Sequence, residues 1–343
     1  MANIGATSLP NSYKSWGLRY RALAFKNFKK GPDYRGGVFT MESTDNWEDR
    51  VGEIYSTGEF AVWNDNTTPN EGEIKEGYRK TFTQVAYGQR IGFGRLAKKF
   101  TQKDVRINET AMKHLGNKAY RVQQKAPWSM LTYGGFADTN SYLTGITGST
   151  VSALIPDGKR LFSTLHPTSP DNSTTWSNVN ADNAIVSEAS LKAGLENLEG
   201  GQVDQDGEIM EMGTEGVIWY VPIAAYDEAM RIVGSDLRAG VSDNDKNVYK
   251  KGEFVADVEV RVIPSWLRDT TNYPSAWFLI DKGMQSLYSP LRCFTSEEFN
   301  TKAYALESTE TAYVRGAMIF TVGATSAHGL YGSLGTGTGT YTS

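Results

Sequence analysis

Three histidines, one cysteine and a few acidic clusters are the side chains from which this sequence could assemble reactive chemistry. His166 stands in Leu165-His166-Pro167 beside serines and threonines and is the best-placed general base, because imidazole exchanges a proton near neutral pH. A serine nucleophile in an α/β hydrolase also needs a Gly-x-Ser-x-Gly elbow, and none is present. His114 falls on the polar side of a helical pattern. Asp204-Gln205-Asp206-Gly207-Glu208 alternates oxygen ligands before a glycine as a calcium loop does. The rest of that ligand series is missing, so an acidic turn is expected there and at Asp243-Asn244-Asp245. Gly88, Gly92 and Gly94 lack dinucleotide-binding spacing, and no phosphate-binding Gly-x-x-x-x-Gly-Lys-Ser/Thr loop occurs. A lone Cys293 closes no internal disulfide, and with three scattered histidines it builds no zinc site. Asn66-Thr67-Thr68, Asn108-Glu109-Thr110 and Asn172-Ser173-Thr174 match the glycosylation acceptor, but no secretion signal precedes them, so they are read as chance matches. The expectation is a protein without catalytic residues, metal ligands or cofactor, with His166 as the one site worth testing.

The elements that would position such residues are uneven. Residues 1–36 mix aromatic and basic types (Tyr20, Phe25, Phe28) without a sustained period and read as an extended arm, which needs a surface to cover its rings. Asn64 to Gly72 is a polar loop tip. Beyond it, Tyr78, Lys80, Phe82, Gln84 and Ala86 alternate with Arg79, Thr81, Thr83, Val85 and Tyr87, predicting one strand of a long hairpin with its partner in Gly58 to Trp63. From Thr101, with Asp104 three residues on, Val105, Met112, Leu115, Ala119, Val122, Ala126, Met130 and Tyr133 form one stripe of a helix of about 30 residues. Pro127 interrupts it, and Gly134 and Gly135 end it. Residues 139–180 read as irregular connection with apolar islands at Val151 to Ile155 and Leu161 to Leu165. An α/β pattern follows, with helices at Ser190 to Leu198 and Ala224 to Val233 and strands at Val217 to Val221, Phe254 to Ile263 and Trp277 to Ile280. Strands at Thr301 to Glu307 and Thr311 to Val322 precede a Gly-Thr tail expected to be flexible.

Composition excludes several classes. The 343 residues are 39% hydrophobic and 22% charged, as in globular proteins, and no apolar run of about 18 could span a bilayer. No secretory signal is recognisable after Met1, so a cytoplasmic site of synthesis and assembly is expected. A net charge of -4 supplies no overall positive field for nucleic acid. Lys14, Arg19, Arg21, Lys26, Lys29, Lys30 and Arg35 nevertheless crowd the start, as a solvated or subunit-bridging arm or as a nucleic-acid contact.

Pro156-Asp157-Gly158-Lys159-Arg160-Leu161-Phe162-Ser163-Thr164-Leu165-His166-Pro167, directly after the long helix and connection, resembles the D-G-x-x-L-F-S-x-x-H stretch of major head subunits of tailed phages, in the Mu-type branch. Val262-Ile263-Pro264 with Ala276 to Asp281, and His328 to Ser333, are similar to that branch's later segments. Covering roughly residues 35 to 335, the resemblance implies an α+β chain with the HK97-like capsid fold: N-terminal arm (1–36), E-loop hairpin (37–95), peripheral domain (96–182 and 289–343) with a spine helix at about 102–134, and axial domain (183–288). It further implies a non-enzymatic subunit that assembles as pentamers and hexamers into an icosahedral shell around double-stranded DNA, in the virion. Implied partners are further copies of itself, a portal protein at one vertex, a separate scaffolding protein, a decoration protein and packaged DNA touched without sequence readout. Tyr20, Phe25, Phe28, Trp63, Lys75, Tyr78 and Phe82 are the expected inter-subunit contacts, so Asp at Phe82 or Trp63 should abolish shells but leave soluble subunits. An encapsulin-like compartment shell, of the same fold but enclosing enzyme cargo, is the alternative.

Overall fold

The computed structural model describes residues 11–57, 62–63, 65, 68, 71–93, 105–235, 249, 257–283, 288–306 and 311–341. The chain begins with helix α1 (Asn11–Phe28), where an extended arm was expected. Tyr20, Leu23, Ala24 and Phe28 recur at helical spacing, but interleaved basic residues hide the period from a sequence reading. Tertiary contact completes the helix. Ala24 is fully buried where α1 crosses the spine helix α2 (Val105–Thr132), and a Cβ on Gly116 of α2 would lie 2.1 Å from the Ala24 carbonyl oxygen. Gly116→Leu is therefore expected to lever α1 off α2 and cost about 2 kcal/mol or more. Urea unfolding with hydrogen exchange at the α1 amides checks it, and an unchanged midpoint would contradict the crossing.

The 28 residues of α2 span about 42 Å. From Met112 on, the expected stripe is inward-facing, with Met112, Leu115 and Ala126 buried, and the helix continues through Pro127. The expected cap at Thr101 and Asp104 lies outside the described residues. Gly134 and Gly135 follow the helix because there is no room for a side chain. A Cβ at Gly135 would stand 2.4 Å from the Leu131 carbonyl oxygen, and one at Gly134 would stand 2.8 Å from the Ala153 side chain.

Strand β1 (Thr40–Ser43) joins a four-stranded sheet of order β1-β10-β11-β4, with β4 at Val85–Phe93, β10 at Leu291–Leu306 and β11 at Thr311–Ala324. The hairpin is β2 (Glu48–Thr57) paired with β3 (Glu73–Thr83). This corrects the sequence expectation twice. The partner strand precedes Gly58 to Trp63, of which residues 58–61 lie outside the described residues. The period-2 run from Tyr78 to Tyr87 is also divided at Gln84 between two sheets. Alternation alone cannot show where a strand changes partners.

Side chains alternate across β11. A Cβ at Gly316 would meet Phe299 and Leu115, and Phe28 of α1 stacks on Phe299 at 4.6 Å, so α1 and α2 share one face of this sheet. Gly323, of opposite parity, leaves room for Phe82, which packs 4.9 Å from Phe294 on the other face.

The connection after α2 is mostly irregular, as expected, with a short helix α3 (Ser141–Thr147) and the strands β5 (His166–Ser169) and β6 (Asn172–Trp176). Asn140 caps α3 by accepting from the Leu143 N–H at 3.0 Å. Beyond it, helix α4 (Glu188–Glu196) opens on a Ser187/Ser190 capping box. It packs on a second sheet of order β12-β9-β7-β8, formed by β7 (Val217–Val221), β8 (Val258–Val262), β9 (Trp277–Asp281) and β12 (Leu330–Ser333). Helix α5 (Tyr226–Gly234) connects the parallel pair β7 and β8. Both β7 and β9 are wholly buried, which explains their unbroken apolar sequences. Trp219 and Trp277 meet edge-to-face at 6.0 Å in this core. Close to the C-terminus the chain is anchored where flexibility was expected, since the Tyr341 hydroxyl donates to the Phe162 carbonyl at 2.8 Å and Asn183 Nδ2 donates to the Gly339 carbonyl at 3.0 Å.

Candidate functional site

The segment Pro156 to Pro167 turns out to be a structural plug. Asp157 and Gly158 make a tight turn in which Gly158 has φ 77° and the Asp157 carboxylate accepts from the Lys159 N–H at 2.8 Å. Leu161 and Phe162 are fully buried, and Phe162 fills the space beside Gly135 and Gly332. His166 returns to the turn, its Nδ1 2.7 Å from Asp157 Oδ2 and its Nε2 3.1 Å from Asn178 Oδ1. Asn178 Nδ2 donates to the Leu161 carbonyl at 2.8 Å, which fixes the amide with its oxygen toward His166. Both ring nitrogens thus have a side-chain oxygen within hydrogen-bond distance.

Trp176 lies between two imidazoles, 4.7 Å from His166 and 4.6 Å from His328. His328 Nε2 donates to the Val203 carbonyl at 3.0 Å, leaving Nδ1 to accept from the Ser326 hydroxyl at 2.5 Å. Burial lowers His328 to about 4, so its ring is neutral at physiological pH. A serine paired with a neutral imidazole has the outline of an activated nucleophile. However, the adjoining cavity holds only about 20 Å3, room for a water but not for a substrate. His166 is 1% exposed. The cluster builds a joint between elements and offers no access for turnover. Among the described residues no group of three or more His, Cys, Asp or Glu side chains could hold a metal, and no helix is long and apolar enough to cross a membrane.

The hairpin is seated on this joint. Lys80 of β3 donates to the Leu154 carbonyl at 2.8 Å, and Gln205, from the acidic turn, donates to Glu53 of β2 at 2.6 Å. The Glu53 carboxyl is pushed up to about 7, first by burial and then by the Asp157 charge, with the Gln205 bond opposing. Between the ordinary carboxylate range and about 7 the native chain keeps a proton that the unfolded chain has released, so stability falls as pH rises through that interval and is level above it. Raising pH from about 5 to about 8 is expected to cost on the order of 1 to 3 kcal/mol through this group. Glu53→Gln should flatten that part of the pH profile of urea unfolding, and an unaltered profile would refute the assignment.

The expected contact residues fall into three groups by burial. Tyr20 is buried against Phe93 at 5.8 Å, Phe28 stacks on Phe299 at 4.6 Å and Phe82 is 2% exposed, so these three pack within their own chain, while Phe25 lies 6.5 Å from Phe299 and stays 39% exposed. Lys75 and Tyr78 are half-buried on β3, Tyr78 lining the cavity beside Glu53. Trp63 is 59% exposed, with Val62 at 92% and Ile74 at 79%, near the far end of the hairpin. Val62 and Ile74 were not singled out from the sequence, because isolated apolar residues among turn formers carry no period. Asp243 to Asp245 lie outside the described residues.

No family model and no curated protein matches the chain in sequence. Its backbone nevertheless has close counterparts among phage particles. A chain from Mycobacterium phage Patience superposes with a TM-score of 0.53 at 13% identity, over 97% of this chain and 88% of its own. The capsid of Ralstonia phage GP4 gives 0.52 at 11%, over 86% and 87%. The mature capsid of bacteriophage PhiM1 gives 0.50 at 10%, over 89% and 88%. The chain has the α+β, HK97-like fold of phage capsid subunits.

Proposed function

We propose that this chain is the major capsid protein of a tailed phage, a non-enzymatic subunit that assembles as pentamers and hexamers into an icosahedral shell enclosing double-stranded DNA. The observation that carries this reading is the match to phage capsid structures over nearly the whole length of both chains. Exposed apolar side chains at the end of a two-stranded hairpin support it, since such a hairpin is marginal alone and gains stability from a neighbour. In this reading residues 37–95 are the E-loop, residues 96–182 with 289–343 the peripheral domain and residues 183–288 the axial domain. The N-terminal segment 1–36 is the arm, with α1 (Asn11–Phe28) within it. The portal, a scaffolding protein and a decoration protein are further partners of the shell, and the site of action is the virion, after assembly in the host cytoplasm. Negative-stain electron microscopy of the protein expressed alone and with scaffolding candidates tests this. Closed shells or five- and six-fold rings support it. A small monomer in every condition, or shells that retain enzyme cargo in place of DNA or scaffolding protein, overturns it.

A further inference from the structure

The two helices on one face of the four-stranded sheet concentrate a charge that the chain as a whole does not have. Residues 11–32 and 110–136 contain no Asp or Glu, in a chain whose net charge is -4. Lys26, Lys29 and Lys30 on and after α1 and Lys113, Lys118 and Arg121 on α2 are exposed. The two helices lie side by side on one face of the sheet, away from the Phe82 face that anchors the hairpin. Glu109 near the start of α2, paired with Arg19 of α1, is the one acidic residue on the two helices, and the others that bring the total below zero lie elsewhere in the sequence, so net charge conceals a basic face.

We propose that this α1–α2 face is the surface that contacts the phosphate backbone of duplex DNA, without reading its sequence. Three features fit that partner. The charges along α2 repeat at Lys113, Lys118 and Arg121, spreading positive potential along the helix instead of around one pocket. Between α2 and the segment after α1 lies an open trough of about 540 Å3 in which His114, Lys118 and Arg121 stand beside Tyr120 and Trp266, a concave basic surface wide enough for a sugar-phosphate strand. Finally, α2 carries none of the exposed large apolar side chains among the described residues, whereas α1 carries Leu18 at 66% and Phe25 at 39%, so the α2 side is the part of the face free of apolar surface. A stable protein partner usually buries an apolar centre, whereas a polyphosphate needs none. The proposal rests on the capsid reading for the source of the DNA but not for the binding itself.

The test uses the unassembled full-length chain and a random-sequence DNA duplex of about 30 base pairs, with fluorescence anisotropy over a salt series. Replacing Lys26, Lys29, Lys118 and Arg121 together by glutamine should weaken binding at least 10-fold at about 0.1 M salt and reduce the salt slope by roughly 3 to 4. Arg79→Gln with Lys192→Gln, exposed charges elsewhere, should change neither by more than about 2-fold. Circular dichroism melts should coincide for all variants, because the replaced side chains are exposed. Equal losses in the two sets, no loss in the first, or tighter binding to polyglutamate than to DNA at matched charge would overturn the proposal, the last pointing to an acidic protein instead. Microscopy of the same proteins keeps the two readings apart. Shells from a variant that no longer binds DNA leave the capsid reading standing, and absence of shells from the unaltered chain refutes that reading whatever the DNA affinity.

Discussion

Substituting aspartate at both Trp63 and Ile74 is expected to abolish closed shells and leave a folded, soluble subunit. Both side chains are exposed near the end of the hairpin, Ile74 to 79%. Covering an exposed tryptophan of this size with a neighbour's surface contributes on the order of 3 kcal/mol, and the contact recurs at every subunit. A carboxylate in the same place loses that term and must also be desolvated. The critical concentration for assembly should rise at least 100-fold, read by sedimentation velocity, with the urea midpoint of the subunit unchanged. Shells at the ordinary concentration would refute the role of the hairpin end. A lowered urea midpoint would show instead that these side chains pack within the subunit.

Phe82→Ala is expected to act on the subunit itself, which reverses the purpose the sequence suggested for this residue. Phe82 is 2% exposed, packs against Phe294 and fills the space that Gly323 leaves on β11. Truncation of a buried phenylalanine costs about 3 to 5 kcal/mol, as lost transfer energy and a residual cavity. Equilibrium unfolding should show that loss, and amides of β2 and β3 should exchange faster than those of β7 and β9, because Phe82 fastens the hairpin to the sheet. Phe82→Asp then reports on folding before it can report on assembly. A stability loss below about 1 kcal/mol would mean that the hairpin is held elsewhere, at Glu53 and Lys80.

These two residues show where sequence reasoning ran out. Trp63 and Phe82 are both aromatic and both lie in the hairpin region, yet one is exposed and the other closes a core. Period-2 alternation identifies which side chains share a face, and it is silent on what that face meets. The strand partner was missed for a similar reason. In β2 the charged residues Glu48, Asp49, Arg50 and Glu53 obscure an alternation that pairing with β3 makes plain.

Legible from the residues alone were the elements whose signal is local. The stripe of α2 and the Asp-Gly turn of the Pro156 to Pro167 segment satisfy their geometry with neighbours close along the chain, and the unbroken apolar runs of β7 and β9 mark buried strands whichever strands they pair with. The resemblance to phage head subunits rested on that same segment and on the order of elements. Packing settled the rest: that α1 is a helix, that β3 and β4 belong to different sheets, that His166 and His328 both stack on Trp176, and that α1 and α2 share one face of the four-stranded sheet. Each of these depends on residues far apart in the chain, such as Ala24 against Gly116 or Phe82 against Gly323. The free energy that selects such pairings comes from apolar surface removed from water when both partners are present, and a sequence contains the partners without saying which will meet.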